Sequence, residues 1–91
     1  MEVRHDPDGS RYELLVDGRV TGVADYEDTG DVLVFFHTEV DPEEQGQGLG
    51  TTLVRGALDD VRRSGRTIVP RCPFVAHFLA EHRDYRDLVA G

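Results

Sequence analysis

The stretch that decides the fold is Gln45-Gly46-Gln47-Gly48-Leu49-Gly50, in which three glycines alternate between a strand pattern and a helix pattern. Glycine has no Cβ, so the backbone N–H groups of such a loop can converge on one point. The helix start that follows adds N–H groups without intrahelical partners and the positive end of the helix dipole. The loop therefore predicts either a site for an anion such as a diphosphate or a flexible turn before a helix.

Upstream of this loop the sequence predicts three antiparallel strands, at residues 11–16, 19–26 and 31–40. Asp17-Gly18 separates the first two and is a strong hairpin signal. The third strand is apolar on both faces, which is typical of a central strand. Its faces are predicted to carry Val32, Val34 and Phe36 on one side and Leu33, Phe35 and His37 on the other.

Downstream of the loop the sequence predicts a helix over about residues 48–63, a strand over 66–70 and a second helix over 73–82. Gly56 lies on the apolar stripe of the first helix, so we expect this helix to approach the sheet closely there. The strand–helix–strand order makes the flanking strands parallel. The stripe itself consists of Leu49, Leu53, Val54, Ala57, Leu58 and Val61.

The C-terminal segment completes the predicted core. Pro73 suits the first position of a helix, and the apolar side chains beyond it are expected to be buried: Phe74, Val75, Phe78 and Leu79, then Tyr85, Leu88 and Val89 in a short tail. The predicted fold class is α/β (an α+β mixed sheet), with a three-strand antiparallel meander followed by helix, parallel strand and helix. We expect a single domain over residues 1–91.

Composition and charge argue against several classes of partner and site. The 91 residues carry a net charge of −8, and all ten basic residues are arginine, which argues against nucleic acid as the main partner. The acidic balance suits either a cationic acceptor or simple solubility. No apolar run approaches a membrane span, and residues 1–11 do not resemble a signal peptide, so we expect a cytoplasmic protein. One cysteine and four histidines without ligand spacing predict no metal site.

Other nucleotide-binding loops do not fit the glycine stretch. A Walker A loop needs a lysine, and this chain has none. A dinucleotide fingerprint starting at Gly46 needs glycine where Thr51 stands, and an acidic residue about 20 positions further on. The predicted antiparallel hairpin before the loop also differs from the parallel units that carry that fingerprint.

The motif Gln45-x-x-Gly48-x-Gly50 resembles the Q/R-x-x-G-x-G/A coenzyme A signature of the GCN5-related N-acetyltransferases (GNAT). The flanking stretches at residues 36–40 (FHTEV) and 68–75 (IVPRCPFV) are similar to the small stand-alone branch of that family. The resemblance covers about residues 12–89. This branch lacks the first helices and the last strands of the full GNAT fold, which implies a minimal GNAT fold here.

The resemblance implies acetyl-CoA as cosubstrate and a defined set of contacts. The pantetheine arm would lie along the backbone of Thr38, Glu39 and Val40. The acyl thioester would lie between His37 and Cys72. The branch usually has arginine where Gln45 stands, which leaves compensation by Arg55, Arg71, Arg83 or Arg86 open. The pyrophosphate would lie on the backbone amides of Gln45, Gly46, Gln47, Gly48, Leu49, Gly50 and Thr51.

His37 and Cys72 are the predicted catalytic residues. Histidine titrates near neutrality and suits a general base, although a hydrogen-bonded core histidine is the alternative. Cys72 precedes Pro73 and is therefore predicted to cap a helix. Three roles stay open for its thiol, namely an acyl-accepting nucleophile, a proton donor and a small buried hydrophobe. The family's late tyrosine acid has no clear counterpart, and Tyr85 is a weak substitute. His77 and His82 are expected at the surface.

The sequence therefore predicts an N-acetyltransferase that passes acetyl from acetyl-CoA to an amine on a small molecule or a basic peptide or protein. Transfer would be direct or would pass through Cys72. Two alternatives stay open, namely a non-catalytic acyl-CoA-binding or sensing module and a protein-interaction domain without coenzyme. The expected state is a monomer or a weak homodimer.

Overall fold

The computed structural model describes residues 1–44 and 48–90, which form a five-stranded sheet with two helices. The strand order is β1-β2-β3-β4-β5; the first four strands are antiparallel and β5 runs parallel to β4. This arrangement confirms the predicted mixed-sheet α/β class. The elements are β1 (Glu2–Asp6), β2 (Arg11–Val16), β3 (Arg19–Asp28), β4 (Val32–Val40), α1 (Leu49–Ser64), β5 (Thr67–Pro70) and α2 (Pro73–Glu81), with 3₁₀ turns at Pro42–Glu44 and Arg83–Leu88.

Helix α1 packs its apolar stripe on one face of the sheet, which we call the inner face; the opposite face is the outer face. All six predicted stripe residues of α1 are buried. The helix is bounded by two glycines with positive φ, Gly48 at 72° and Gly65 at 77°, because left-handed backbone is accessible to glycine at little cost. The inner face contributes Tyr12, Leu14, Ala24, Tyr26, Leu33 and Phe35 to the same core cluster.

Strand β1 was not predicted from the sequence. Its five residues contain one apolar side chain, Val3, which is partly buried against the core. Gly56 of α1 makes room for it, since a Cβ at Gly56 would lie 2.6 Å from Val3 Cγ2. The expected close approach of α1 at Gly56 is therefore confirmed, and its partner is the strand that the sequence pattern did not reveal.

A bulge in the pairing of β3 with β4 changes which residues of β4 face the core. Asp25 pairs with His37 and Tyr26 pairs with Phe35, so Phe36 is an extra residue in β4. Beyond it, Thr38 opposes the buried Ala24 and lies on the inner face, whereas His37 opposes Asp25 and lies on the outer face. The prediction that His37 shares a face with Leu33 and Phe35 was wrong, because an inserted residue reverses the alternation.

The C-terminal segment follows its prediction with two exceptions. Cys72 is the N-cap of α2 and Pro73 its first residue, as expected. Phe74 is 40% exposed and Val89 is 39% exposed, so neither belongs to the core. Within the described ranges, no helix has the length and hydropathy that crossing a membrane would require.

Candidate functional site

A cavity of about 540 Å³ lies between the C-terminal end of β4 and the first turn of α1. It is lined by parts of the chain that are far apart in sequence. Among the described residues the lining consists of His37, Thr38, Glu39, Val40, Gly48, Leu49, Gly50, Thr51 and Phe74. The structure thus brings together the segments on both sides of the glycine loop that the sequence singled out.

The cavity exists because β4 and β5 separate. Their pairing starts at Val32↔Thr67 and ends at Phe35↔Pro70, while β4 continues to Val40. The amides of Arg71 and Cys72 both donate to the Phe35 carbonyl, each at 2.9 Å, and lead the chain away from the sheet into α2. The last residues of β4 consequently present an edge of backbone to the cavity.

Alternation along β4 determines which of its backbone groups point toward the cavity. The amide of Asp41 donates to the Thr21 carbonyl of β3 at 2.6 Å, so Asp41 faces β3. In an antiparallel ladder successive residues direct their N–H and C=O groups to opposite sides. Thr38 and Val40 therefore direct theirs toward the cavity, and this geometry suits an extended amide-bearing chain laid beside β4.

The first turn of α1 forms the other wall. Gly48 is the N-cap and has no side chain that could bond to the helix amides, and the four residues of the first turn, 49–52, include no acidic side chain. The Thr52 amide donates to the Gly48 carbonyl at 3.1 Å and opens the helical ladder. The amides before it have no partner within the helix, so they offer donors to an anion in the cavity.

Phe74 closes the cavity on the side of α2. Its ring lies over Gly50, where an added Cβ would come within 2.5 Å of Phe74 Cζ. The sequence pattern assigned Phe74 to the core because it occupies an apolar position of α2. Its place in the cavity wall depends on the direction in which α2 leaves β5, and no spacing rule would have found it.

Cys72 and His37 lie near the same strand but on different faces of it. Cys72 is 4% exposed, and its Sγ donates to the Thr38 hydroxyl on the inner face at 3.3 Å. His37 is exposed on the outer face and lines the cavity. The predicted pair is thus brought to one region, with the edge of β4 between the two side chains, and Thr38 is an additional contact that the sequence did not reveal.

The remaining predicted residues differ in what they contact. The Tyr85 hydroxyl donates to Asp59 at 2.7 Å, and burial, followed by this hydrogen bond, raises the pKa of Tyr85. His77 pairs with Glu81 at the surface, and His82 stacks on the Phe78 ring at 4.0 Å. None of these side chains lines the cavity within the part of the chain that the structure describes.

Two of the four arginines considered for the phosphates are engaged elsewhere. Arg86 donates to the Leu79 and Ala80 carbonyls near the end of α2. The guanidinium of Arg55 lies over the Phe78 ring, 5.8 Å from its centroid. Arg71 and Arg83 are exposed. Three predicted phosphate contacts, Gln45, Gly46 and Gln47, lie outside the described residues.

Comparison with protein families identifies what this arrangement is similar to. A family model described as GCN5-related N-acetyl-transferase matches residues 11–88. The match confirms the predicted family and the predicted enzyme class. It extends beyond the loop motif to the strands before it and the helices after it. A comparison with curated protein sequences gave no match.

Solved structures share the architecture. A GCN5-like protein from Staphylococcus aureus superposes with a TM-score of 0.73 at 22% identity, covering 99% of this chain and 88% of that one. The ribosomal-protein-S18-alanine N-acetyltransferase from Escherichia coli has a TM-score of 0.62 at 27% identity, over 78% of this chain and 48% of that enzyme. The ribosomal-protein-alanine N-acetyltransferase from Brucella melitensis has a TM-score of 0.57 at 18% identity, over 89% and 62%. The chain spans about half the length of the E. coli enzyme.

Proposed function

The chain belongs to the GCN5-related N-acetyltransferase family, and from this membership we propose that it transfers the acetyl group of acetyl-CoA to an amine. The observation that carries the proposal is the cavity between the separated end of β4 and the glycine-capped start of α1. One wall offers strand backbone for an amide-rich arm, and the other offers helix amides for a diphosphate. Coenzyme A contains both parts.

The coenzyme would lie across this cavity in a defined direction. Its pantetheine amides would pair with the backbone of Thr38 and Val40, and its pyrophosphate would lie on the amides of residues 48–51, with residues 45–47 adding to that contact. Phe74 would pack against the apolar part of the arm. The thioester would then lie near His37, at the position where β4 and β5 separate.

His37 would serve as the general base of a direct transfer. The amine nitrogen attacks the thioester carbonyl and loses its proton to the imidazole, and the carbon–sulfur bond breaks to release coenzyme A as a thiolate that takes up a proton. His37 is exposed to solvent and lines the cavity. An amine can therefore approach it from the outer face of the sheet.

Burial of Cys72 supports direct transfer over a covalent acyl-cysteine. Its thiol is 4% exposed and is hydrogen-bonded to Thr38 on the inner face. An acyl-accepting nucleophile has to reach the thioester carbon and afterwards present the acyl group to the amine. Cys72 would meet neither requirement without leaving its contact with Thr38, so we assign it a packing role in the core behind Thr38.

Binding and turnover measurements test the proposal separately. Calorimetry with acetyl-CoA and with coenzyme A should show binding at one site, and either ligand should raise the melting temperature. Release of coenzyme A thiol should then be followed with polyamines and with lysine- and arginine-containing peptides as acceptors. Absence of binding would refute the proposal, and binding without turnover of any acceptor would indicate an acyl-CoA-binding module.

Two variants test the assigned roles. His37→Gln should lower kcat by about 100-fold, in the range of a lost general base, with little change in acetyl-CoA affinity. Cys72→Ala should retain most of the turnover, because the thiol is not an intermediate carrier. Loss of turnover in Cys72→Ala with unchanged melting temperature would instead give the thiol a chemical role, as acyl carrier or as proton donor to the departing thiolate.

A further inference from the structure

We propose that Asp25 is a positioning residue that fixes the orientation of the His37 imidazole. This inference rests on the proposed role of His37 as the base. Asp25 and His37 are direct cross-strand partners in the β3–β4 ladder. Such partners point to the same face, with Cβ atoms about 5 Å apart, which is within reach of a carboxylate and an imidazole ring.

The bulge at Phe36 creates this pairing. If Phe36 were paired regularly, without the bulge, alternation would place His37 on the inner face with Leu33 and Phe35, among apolar side chains. With it, His37 is placed opposite a carboxylate on the outer face, while Thr38 takes the inner position beside Cys72. The same distortion that separates the two predicted catalytic side chains therefore supplies one of them with an acidic neighbour.

The Asp25 carboxylate has hydrogen-bonding capacity left for a partner. Arg11 faces it from β2, with Nε 3.2 Å from Asp25 Oδ1. The alignment of these two shielded atoms misses that of a hydrogen bond, and neither has another partner among the described residues. A carboxylate that is 19% exposed and held by one misaligned contact can accept an imidazole N–H.

The chemical role of the Asp25–His37 pair follows from its geometry. A carboxylate that accepts from one ring nitrogen fixes the tautomer, so that the other nitrogen carries the lone pair that takes the proton of the amine. It also stabilises the imidazolium that forms. No hydrogen bond joins Asp25 to His37 within the described residues; catalytic contacts of this kind commonly tighten only when the substrate is bound.

The test is a spectroscopic readout of the His37 ring in the protein with coenzyme A added, because His37 lines the proposed coenzyme site. Long-range ¹H–¹⁵N spectra distinguish the two neutral tautomers. In the unchanged protein we expect a single tautomer, and in Asp25→Asn a mixture similar to that of histidine in solution. Asp25→Glu should restore the single tautomer in part. An identical His37 spectrum in the unchanged protein and in Asp25→Asn would overturn the proposal.

Two further variants separate orientation from packing. Glu27→Gln removes a carboxylate two residues along β3 and should leave the His37 spectrum unchanged. Arg11→Gln removes the contact to Asp25 from β2 and should keep the single tautomer, so that a loss of tautomer selection there would assign the effect to strand packing instead.

Turnover gives an independent readout. With an acceptor found by thiol release, Asp25→Asn should lower kcat by about tenfold and leave the KM for acetyl-CoA unchanged, as expected for a residue that acts through the base. If no acceptor were turned over, the proposed function would fail while the spectra would still decide whether Asp25 orients His37. An unchanged kcat in Asp25→Asn would count against the proposal.

Discussion

The two ends of helix α1 differ in what their polar groups contact. At its N-terminus the cap is glycine, the first turn carries no acidic side chain, and the helix amides face a cavity. At its C-terminal half the polar groups of the helix are joined to neighbouring elements, as in the contacts of Asp59 with Tyr85 and of Asp60 with Tyr12, both at 2.7 Å. These contacts make the C-terminal half the tethered end of α1, whereas the amides of the first turn at the other end have no partner within the helix.

The tethered end is also the end that fixes the tail of the chain. Arg62 donates through its two terminal nitrogens to Asp87, at 2.7 and 3.0 Å, and to the Asp84 carbonyl at 2.8 Å. This contact holds the last 3₁₀ turn against α1. Its charges are exposed, so each such pair contributes modestly to the free energy of unfolding. The tyrosine–aspartate contacts are better shielded and should matter more.

The largest stability effect is expected at Tyr12. The variant Tyr12→Phe keeps the buried ring and removes the hydroxyl that donates to Asp60. A lost hydrogen bond to a charged group should lower the free energy of unfolding by about 2 kcal/mol, or roughly 10 °C in melting temperature for a chain of this size. Urea unfolding measures the change.

Acetyl-CoA affinity serves as the control for that variant. We expect Tyr12→Phe to leave it unaltered, because Tyr12 acts at the end of the molecule away from the cavity. A weakened affinity together with unchanged stability would contradict the division between the two ends of α1.

A smaller effect, on binding, is expected at Gly50. In Gly50→Val the added Cβ would lie 2.5 Å from Phe74 Cζ, so the ring would have to move into the cavity. Moving the ring back out of the cavity when the coenzyme binds would set an overpacking cost of about 1–3 kcal/mol against binding, which is a loss of about 5- to 150-fold in acetyl-CoA affinity. Calorimetry measures it.

The matched control for Gly50→Val is Gly65→Asn, at the glycine that caps the other end of the same helix. A side chain at Gly65 meets no atom within 4 Å, and asparagine tolerates positive φ. This variant should bind acetyl-CoA normally. If both variants bound with equal affinity, the cavity wall at Gly50 would have no part in coenzyme binding.

The smallest effect is a pH dependence of stability at the tethered end. The pKa of Asp28 is below its usual range, first because the Gly30 amide donates to it and then because Arg66 does so. A carboxylate whose pKa is lowered by folding stabilises the protein above its unfolded pKa of about 4, and this stabilisation is lost as the pH falls through the folded value.

Unfolding experiments between about pH 2 and pH 6 would test this pH dependence. Asp28→Asn should lose part of the decline in stability on the acid side of that window. Asp8→Asn, in the turn between β1 and β2, controls for removal of one carboxylate. An unchanged acid-side slope in Asp28→Asn would show that the Gly30 and Arg66 contacts add nothing to stability.

Sequence patterns predicted the N-terminal end of α1 better than its tethered C-terminal half. The periodic apolar residues predicted the helix and the glycine loop predicted its start, because both signals follow from local geometry. The acceptors of the tyrosine hydroxyls could not be predicted. Tyr12 and Asp60 are 48 positions apart, and their contact depends on how α1 crosses the sheet.

Two further features that sequence reasoning missed are also non-local. Strand β1 has one apolar residue, so its pattern carried little signal, and its pairing with β2 becomes visible only in the sheet. The bulge at Phe36 depends on how β3 and β4 align, and the apolar pattern of the β4 sequence is the same with or without a bulge. The sequence predicted which segments line the cavity. It did not predict that His37 lies on the outer face of the sheet or that Phe74 lies in the cavity wall.

The extra residue in β4 also constrains how this chain can change in length. Deleting Phe36 would remove the bulge and keep the pairs Asp25↔His37 and Ala24↔Thr38, so His37, Thr38 and Val40 would stay on their present faces. A residue gained or lost beyond the bulge, between Thr38 and Val40, would instead turn Val40 out of the core beside α1. The strand can therefore lose a residue at the bulge, whereas a change of length beyond it would exchange the chemistry on the two sides of the sheet.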